Sequence, residues 1–240
     1  MPTPTTVELL WGIQQRPKRG PKPALTLAGI VAEAIALADA EGLANLSMQR
    51  LADRLGFTKM SLYRYVPGKE QLTALMLEEA IGAPPEIAAV QRDSGEEPWR
   101  AALCGWAETL FERYRAHPWG IELTVGVRPM GPNEMGWMEA ALGALAETRL
   151  TAPECLDSIV LLSGHVRSLV QQGPAVAEAF QEQVAGQLAA MVSVASDRYP
   201  LAVAAFAEEG AVAGGVGALR FGIDRILDGL GVLIAARATT

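Results

Sequence analysis

Cysteine and histidine are scarce in this chain of 240 residues, with only Cys104, Cys155, His117 and His165. Neither cysteine belongs to a C-x-x-C pair or an even framework, which argues against a disulfide-stapled secreted domain and a local zinc motif. The two histidines are too far apart in sequence to form a local metal pair. Charges, prolines or glycines interrupt every apolar stretch before the ~20 residues that a membrane-spanning helix needs. The opening MPTPTTVELLWGIQQRPKRG puts its bases after a short apolar patch, the reverse of a signal peptide. Also missing are G-x-S-x-G, H-E-x-x-H, a P-loop and G-x-G-x-x-G, the spacings that nucleophilic, zinc, phosphate and dinucleotide chemistry require. These absences lead to an expectation of a cytoplasmic, globular protein without metal or cofactor, and not an enzyme. Turnover of a ligand in a helical cavity stays open as an alternative.

What is present is apolar and unevenly charged. Half of the residues are hydrophobic, enough for one large core or two modest domains. The net charge is -7. Between Arg16 and Leu72, however, nine bases face five acids, a local balance of +4, and the remaining 11 bases and 22 acids leave -11 elsewhere. A basic N-terminal quarter on an acidic body fits one DNA-facing end.

The run Leu46 to Leu72, LSMQRLADRLGFTKMSLYRYVPGKEQL, has helix-turn-helix spacing. Ser47 is placed to cap a helix with Met48, Leu51, Ala52 and Leu55 at helical intervals, and Gly56 supplies the left-handed residue that ends it. Thr58 can cap a second helix over Lys59 to Val66, with Leu62 and Val66 turned inward. Its other face carries Lys59, Ser61, Tyr63, Arg64 and Tyr65, cationic, hydroxyl and aromatic groups suited to phosphates and base edges. A helical hairpin with no DNA partner is the simpler reading of the spacing taken alone.

Several linked features of this region resemble the tetracycline-repressor (TetR) family of transcriptional regulators. Leu51, Ala52, Leu55 and Gly56 precede Ser61, Leu62 and Tyr63, and Tyr65, Val66, Lys69 and Leu72 follow in the family's register. The resemblance covers about Leu25 to Leu77 strongly, and the remainder in helix pattern and a few short runs. It implies a homodimer on palindromic double-stranded DNA, a repressor released by a small, largely apolar effector, with control by a protein partner as the alternative. The DNA-binding candidates are Ser47, Met48, Gln49, Thr58, Lys59, Ser61, Tyr63, Arg64, Tyr65 and Lys69. Tyr65 stands where many members carry His, and Gln49 where several place Arg; Gln prefers adenine's N6/N7 edge.

The chain divides into a proline-rich basic arm over residues 1–24, a DNA-binding domain with connecting helix over 25–83, and a helical effector-binding and dimerisation domain over 84–240. Arg16, Lys18, Arg19 and Lys22 in the arm are candidates for phosphate or minor-groove contact. Leu27 to Glu41 reads as the first helix of a three-helix bundle, and Leu72, Leu75, Met76 and Ala80 mark the connecting helix. Trp99, Leu103, Trp106, Leu110 and Tyr114 form a helical stripe closed by His117-Pro118. Further helices are expected from Asn133 to about Arg149, from near Pro153 to Gln172, over Ala175 to Ser196, after Pro200, and from Phe221 to Ala236. No strand alternation competes, so the expected fold is all-α. Candidate cavity residues are Trp106, Phe111, Trp119, Met130, Trp137, Met138, His165, Gln172 and Phe180, a mixture of broad apolar surfaces and a few polar groups. By the resemblance, the stripe Ile223, Leu227, Leu230 and Ile234 on the last helix forms the dimer interface, the alternative being cover within the protomer.

Overall fold

In the computed structural model, residues 4–13, 25–86, 97–172, 198–209 and 216–238 are described, with residues 186 and 194. They form helices and turns, and among the described residues there is no strand. The helices are α1 (Thr6–Leu10), α2 (Leu27–Glu41), α3 (Met48–Leu55), α4 (Lys59–Tyr63), α5 (Lys69–Ile81), α6 (Pro98–Ala116), α7 (Pro132–Leu145), α8 (Ala152–Gln171), α9 (Pro200–Glu209) and α10 (Val216–Ala238). Short 3-10 segments at Leu43–Asn45 and Pro118–Thr124 complete the order. No helix among the described residues is long and apolar enough to cross a membrane.

Local chemistry sets the helix starts. Thr26, Ser47 and Thr58 each accept a hydrogen bond from a first-turn backbone N–H, those of Gly29, Arg50 and Ser61 respectively. Thr151 and Glu154 make a reciprocal capping box at the start of α8. Gly56 sits at φ +73 past the end of α3, where a Cβ would be strained, and lets the Phe57 N–H bond back to the Ala52 carbonyl.

Two apolar cores result, and α5 belongs to both. Leu72, Met76 and Ala80 join Ile30, Leu37, Leu51, Leu62 and Val66 in the N-terminal core. Leu77 and Ile81, a second i, i+4 pair on the same helix, join Leu103, Trp106, Trp137, Leu162 and Leu227 in the body's core. Trp119, from the 3-10 segment after α6, fills the N-terminal core across the junction. Its indole N–H donates to Asp39 Oδ1 at 2.6 Å, and His117 Nδ1 lies 2.9 Å from the same oxygen.

Three expectations need correction here. The recognition segment is helical only over Lys59–Tyr63. A short helix, α1, lies within the proline-rich start, its Leu10 buried and its Thr6 hydroxyl accepting from Gln71 on α5 at 3.2 Å. The prolines flank that single turn instead of interrupting it. The third correction concerns α10. Ile223, Leu227 and Leu230 are buried inside the protomer against α6 and α8, so the protomer itself covers them, and Ile234 is packed partly on the same core. Arg100 reaches Asp228 at 2.7 Å and Arg220 reaches Glu108 at 2.7 Å, fastening α10 to α6. What the α8 and α10 pair leaves exposed is a different set: Leu156, Val160 and Leu161 on α8, Phe221 and Val232 on α10.

Candidate nucleic-acid interface and body cavity

The turn at Gly56 and Phe57 turns α4 so that Leu62 is buried while Lys59, Met60, Tyr63 and Arg64 face outward. Lys59 Nζ lies 5.6 Å from the centre of the Tyr63 ring, a cation–π contact that groups charge and aromatic surface at one end of the helix. Lys69 is exposed at the first position of α5, behind the Gly68 cap, where unpaired backbone N–H groups and a cation together favour phosphate. Gln49 is exposed on α3, and its amide donates to Asp53 Oδ1 at 2.8 Å. Arg50 and Arg54, on the same helix, are paired with Glu41 and Glu33.

Met48 is buried in the N-terminal core and is no DNA contact; the cap at Ser47 fixes the helix phase so that the first residue turns inward. Tyr65 packs partly on that core. The Ser47 and Thr58 hydroxyls serve their caps, and Thr58 Oγ1 also lies 2.9 Å from Ser61 Oγ. Met60, 72% exposed on α4, is an outward residue that the sequence reading passed over, because a methionine beside Leu62 reads as core. Arg16, Lys18, Arg19 and Lys22 lie outside the described residues.

In the body, α6, α7 and α8 border an open cavity of about 180 Å³ whose walls include Trp106, Leu110, Tyr114, Met130, Trp137, Met138 and Ile159. Trp106 and Trp137 meet edge to face, their centroids 5.7 Å apart, and the Trp106 indole donates to the Trp137 carbonyl at 2.9 Å. The polar edge consists of Thr124, Arg128, Glu134, Ser163 and Arg167. Arg128 makes a two-pronged ion pair with Glu134. Burial pushes the Tyr114 phenol above its ordinary pKa, so it remains a neutral donor.

Four of the expected cavity residues therefore come together: Trp106, Met130, Trp137 and Met138. The others do not. Phe111 packs on the body's core away from the cavity walls. His165 turns toward α10, with Nε2 3.1 Å from the Leu219 carbonyl and its ring over Gly222, where a Cβ would come within 2.2 Å. Gln172 is exposed just past the end of α8. Trp119 lines a larger, open crevice of about 460 Å³ at the junction with α2, and Phe180 lies outside the described residues. Tyr114, Arg128, Glu134 and Arg167 were missed as cavity residues: Tyr114 reads as the end of the α6 core stripe, and the three charged groups, one in a loop and two on helices, carry the same signal as solvated surface.

Two contacts tie α7 to α5, one of them from the cavity wall. The Trp137 indole donates to the carbonyl of Gly82, the residue that ends α5, at 2.9 Å. Glu78 of α5 is buried and accepts from the Asn133 backbone N–H at the start of α7, while the Asn133 side chain donates to the Glu78 carbonyl at 2.9 Å. Burial raises the Glu78 pKa against the opposing pull of the Asn133 backbone N–H, and its second oxygen has no partner among the described residues. A metal-holding group of three or more His, Cys, Asp or Glu side chains is absent among the described residues.

Comparison with known proteins places these features in a lineage. Residues 30–76 match the family described as "Bacterial regulatory proteins, tetR family", and residues 92–234 match the "Tetracyclin repressor-like, C-terminal domain". The chain is 42% identical to the HTH-type transcriptional repressor DrrR1 of Streptomyces coeruleorubidus, over 97% of this chain and 87% of that protein. It is similar to the Streptomyces coelicolor TetR family protein ActR in complex with actinorhodin, with a TM-score of 0.69 and 26% identity over 88% of this chain and 98% of that one. TetR from Acinetobacter baumannii shares the fold, with a TM-score of 0.61 at 22% identity over 87% of this chain and 98% of that one. The chain belongs to the tetR family of bacterial regulatory proteins and is a DNA-binding transcriptional regulator, not an enzyme.

Proposed function

We propose that the protein is a homodimeric repressor of the cytoplasm whose grip on a palindromic operator is released by a small, largely apolar molecule in the α6–α8 cavity. One observation carries this reading: Trp137 is at once a wall of the cavity and a hydrogen-bond donor to the end of α5, whose other end presents Lys69. A ligand that displaces the Trp137 ring shifts the last turn of α5. The turn then moves α4 through the shared N-terminal core. Dimer half-sites lie about 34 Å apart, one helical repeat, so a displacement of a few ångströms favours the unbound state. ActR's complex with actinorhodin supports a small-molecule effector over control by a protein partner.

The exposed Leu156, Val160, Leu161, Phe221 and Val232 are the dimer contacts in this reading, replacing the buried stripe of α10. They lie on two helices that pack on each other, and a two-fold axis lays the same patch of each subunit against its copy. Candidate DNA contacts are Gln49, Lys59, Ser61, Tyr63, Arg64 and Lys69, with the arm bases Arg16, Lys18, Arg19 and Lys22.

Sequencing genomic fragments retained by the purified protein yields the operator. Band-shift titration of that operator with extracts of the source cells should then find a fraction that both quenches tryptophan fluorescence and frees the DNA. Fractions that quench while leaving the complex intact, with none that release it, would sink the effector reading.

A further inference from the structure

The first helix, α1, has too few residues to stand by itself. Isolated helices shorter than about 12–15 residues are marginal in water and this one has five, so what it rests on decides whether it forms. The capping box of Thr5 and Glu8 sets its start, and Leu10 is its buried residue. Two hydrogen bonds then reach different parts of the molecule. Gln71 Nε2, in the first turn of α5, donates to Thr6 Oγ1 at 3.2 Å, and the Trp11 indole donates to the Met130 carbonyl, just ahead of α7, at 3.1 Å. The segment precedes both matched family domains and yet touches each of them.

Resting on the reading of α5 as the lever between body and operator, this bridge has a mechanical consequence. Asn133, at the start of α7, already holds α5 at Glu78. One joint is a pivot; a second fixes an angle. Gln71 lies seven residues before Glu78, about 10 Å along the helix, so α1 supplies that second joint toward the DNA-facing end. A swing of about 10° around Glu78 would carry Gln71 through roughly 2 Å, beyond the few tenths of an ångström that a hydrogen bond tolerates. Leu72 and Met76 of α5 share a core with Leu62 of α4, so the angle of α5 sets where α4 lies. An operator accepts a narrow range of separations between two recognition helices, and a looser α5 is less often within it. We infer that residues 5–11 are an intramolecular strap that holds α5 at the angle operator binding needs, with Leu10 and Trp11 as its positioning residues.

The test uses the full chain with its arm bases intact. Leu10→Asn removes the apolar anchor, Trp11→Phe removes the indole donor, and Val7→Asn alters an exposed position on the same turn. Operator affinity should fall at least about tenfold in Leu10→Asn and about three- to tenfold in Trp11→Phe, the range one hydrogen bond accounts for, and hold in Val7→Asn. The slope of log affinity against log salt should match the native protein's, since no phosphate contact is lost. Spin labels at Glu70→Cys on α5 and Glu139→Cys on α7, both exposed while Cys104 and Cys155 are buried, read the angle itself in protein diluted with unlabelled subunits. Their distance distribution should broaden in both strap variants. Circular dichroism checks the fold, and Trp11→Phe, at a half-exposed position, carries the test if Leu10→Asn misfolds. Affinity at or above the native value in a folded strap variant, an equal loss in Val7→Asn, a salt slope reduced by one or more, or an unbroadened distribution would each overturn the strap. No ligand enters these measurements, so their failure is distinct from that of the titration that tests the effector.

Discussion

The apolar stripe of α10 separates two energetic roles, and Leu227 is the residue that distinguishes them. Its side chain is fully buried within one protomer. Truncation to alanine removes buried methyl groups and leaves a hole that the rigid α6 and α8 neighbours close only in part, a loss of about 2–5 kcal/mol. For a domain of this size, 1 kcal/mol corresponds to about 2–4 °C, so Leu227→Ala should melt about 4–20 °C lower while still dimerising. Val160 is the counterpart, 58% exposed on α8. Val160→Arg adds little strain to an isolated protomer, but a two-fold interface meets the new charge twice. It should fold with undiminished helicity as a monomer and bind the operator far more weakly. Circular dichroism melts at two protein concentrations, paired with light scattering, read both effects. If Leu227→Ala halves the mass without moving the melting point of the folded protomer, the stripe faces a second subunit and the reasoning fails.

Lys69→Ala should weaken operator binding and reduce the slope of log affinity against log salt by about one, as loss of one phosphate contact demands; an unaltered slope removes Lys69 from the backbone of the DNA. Gln49→Ala should relax selection at one position of each half-site by about 1–3 kcal/mol, read from a randomised-site selection, with an unchanged profile showing that the amide stays with Asp53 on DNA. The Arg237 guanidinium, and secondarily Thr151, lowers the Glu154 pKa from 4.5 to about 2. A depressed carboxylate contributes stability above its unfolded pKa and loses it as the pH falls toward the folded one. The melting-point gap between the native protein and Arg237→Ala should therefore hold steady from about pH 8 to 5 and close between 4.5 and 2. A gap independent of pH would show that Arg237 acts through contacts other than Glu154.

The helix-turn-helix was legible because its signals are local. Ser47, Gly56 and Thr58 each act within four residues of themselves, and those caps fix the two helices before any tertiary contact forms. Met48 shows where locality ends: its apolar character was plain, but whether it faced DNA or core depended on how α3 lies on α2. The same held for α10. Its stripe was correctly read as apolar, and sequence does not say whether the cover comes from one's own helices or a partner's. In the cavity, Trp106, Met130, Trp137 and Met138 announced themselves by size, whereas Arg128 and Arg167 could be recognised only once the fold had brought them to the edge of the same opening. The turn of helix at Thr6–Leu10 escaped because a single turn needs a surface to lie on, and that surface is α5, more than sixty residues later.

Trp119 bears on how such regulators can be recombined. The N-terminal domain looks like an exchangeable cassette, ending near Gly82, that could be transplanted to redirect a sensor to a new operator. Yet its hydrophobic interior is completed by an indole from beyond α6, anchored on Asp39 of the cassette itself. A transplant cut near residue 83 leaves that interior with a tryptophan-sized opening and Asp39 without its donor. The portable unit is discontinuous: residues 25–83 together with the Pro118–Thr124 segment, or a recipient whose own residue at that place fills the same space and offers the same hydrogen bond.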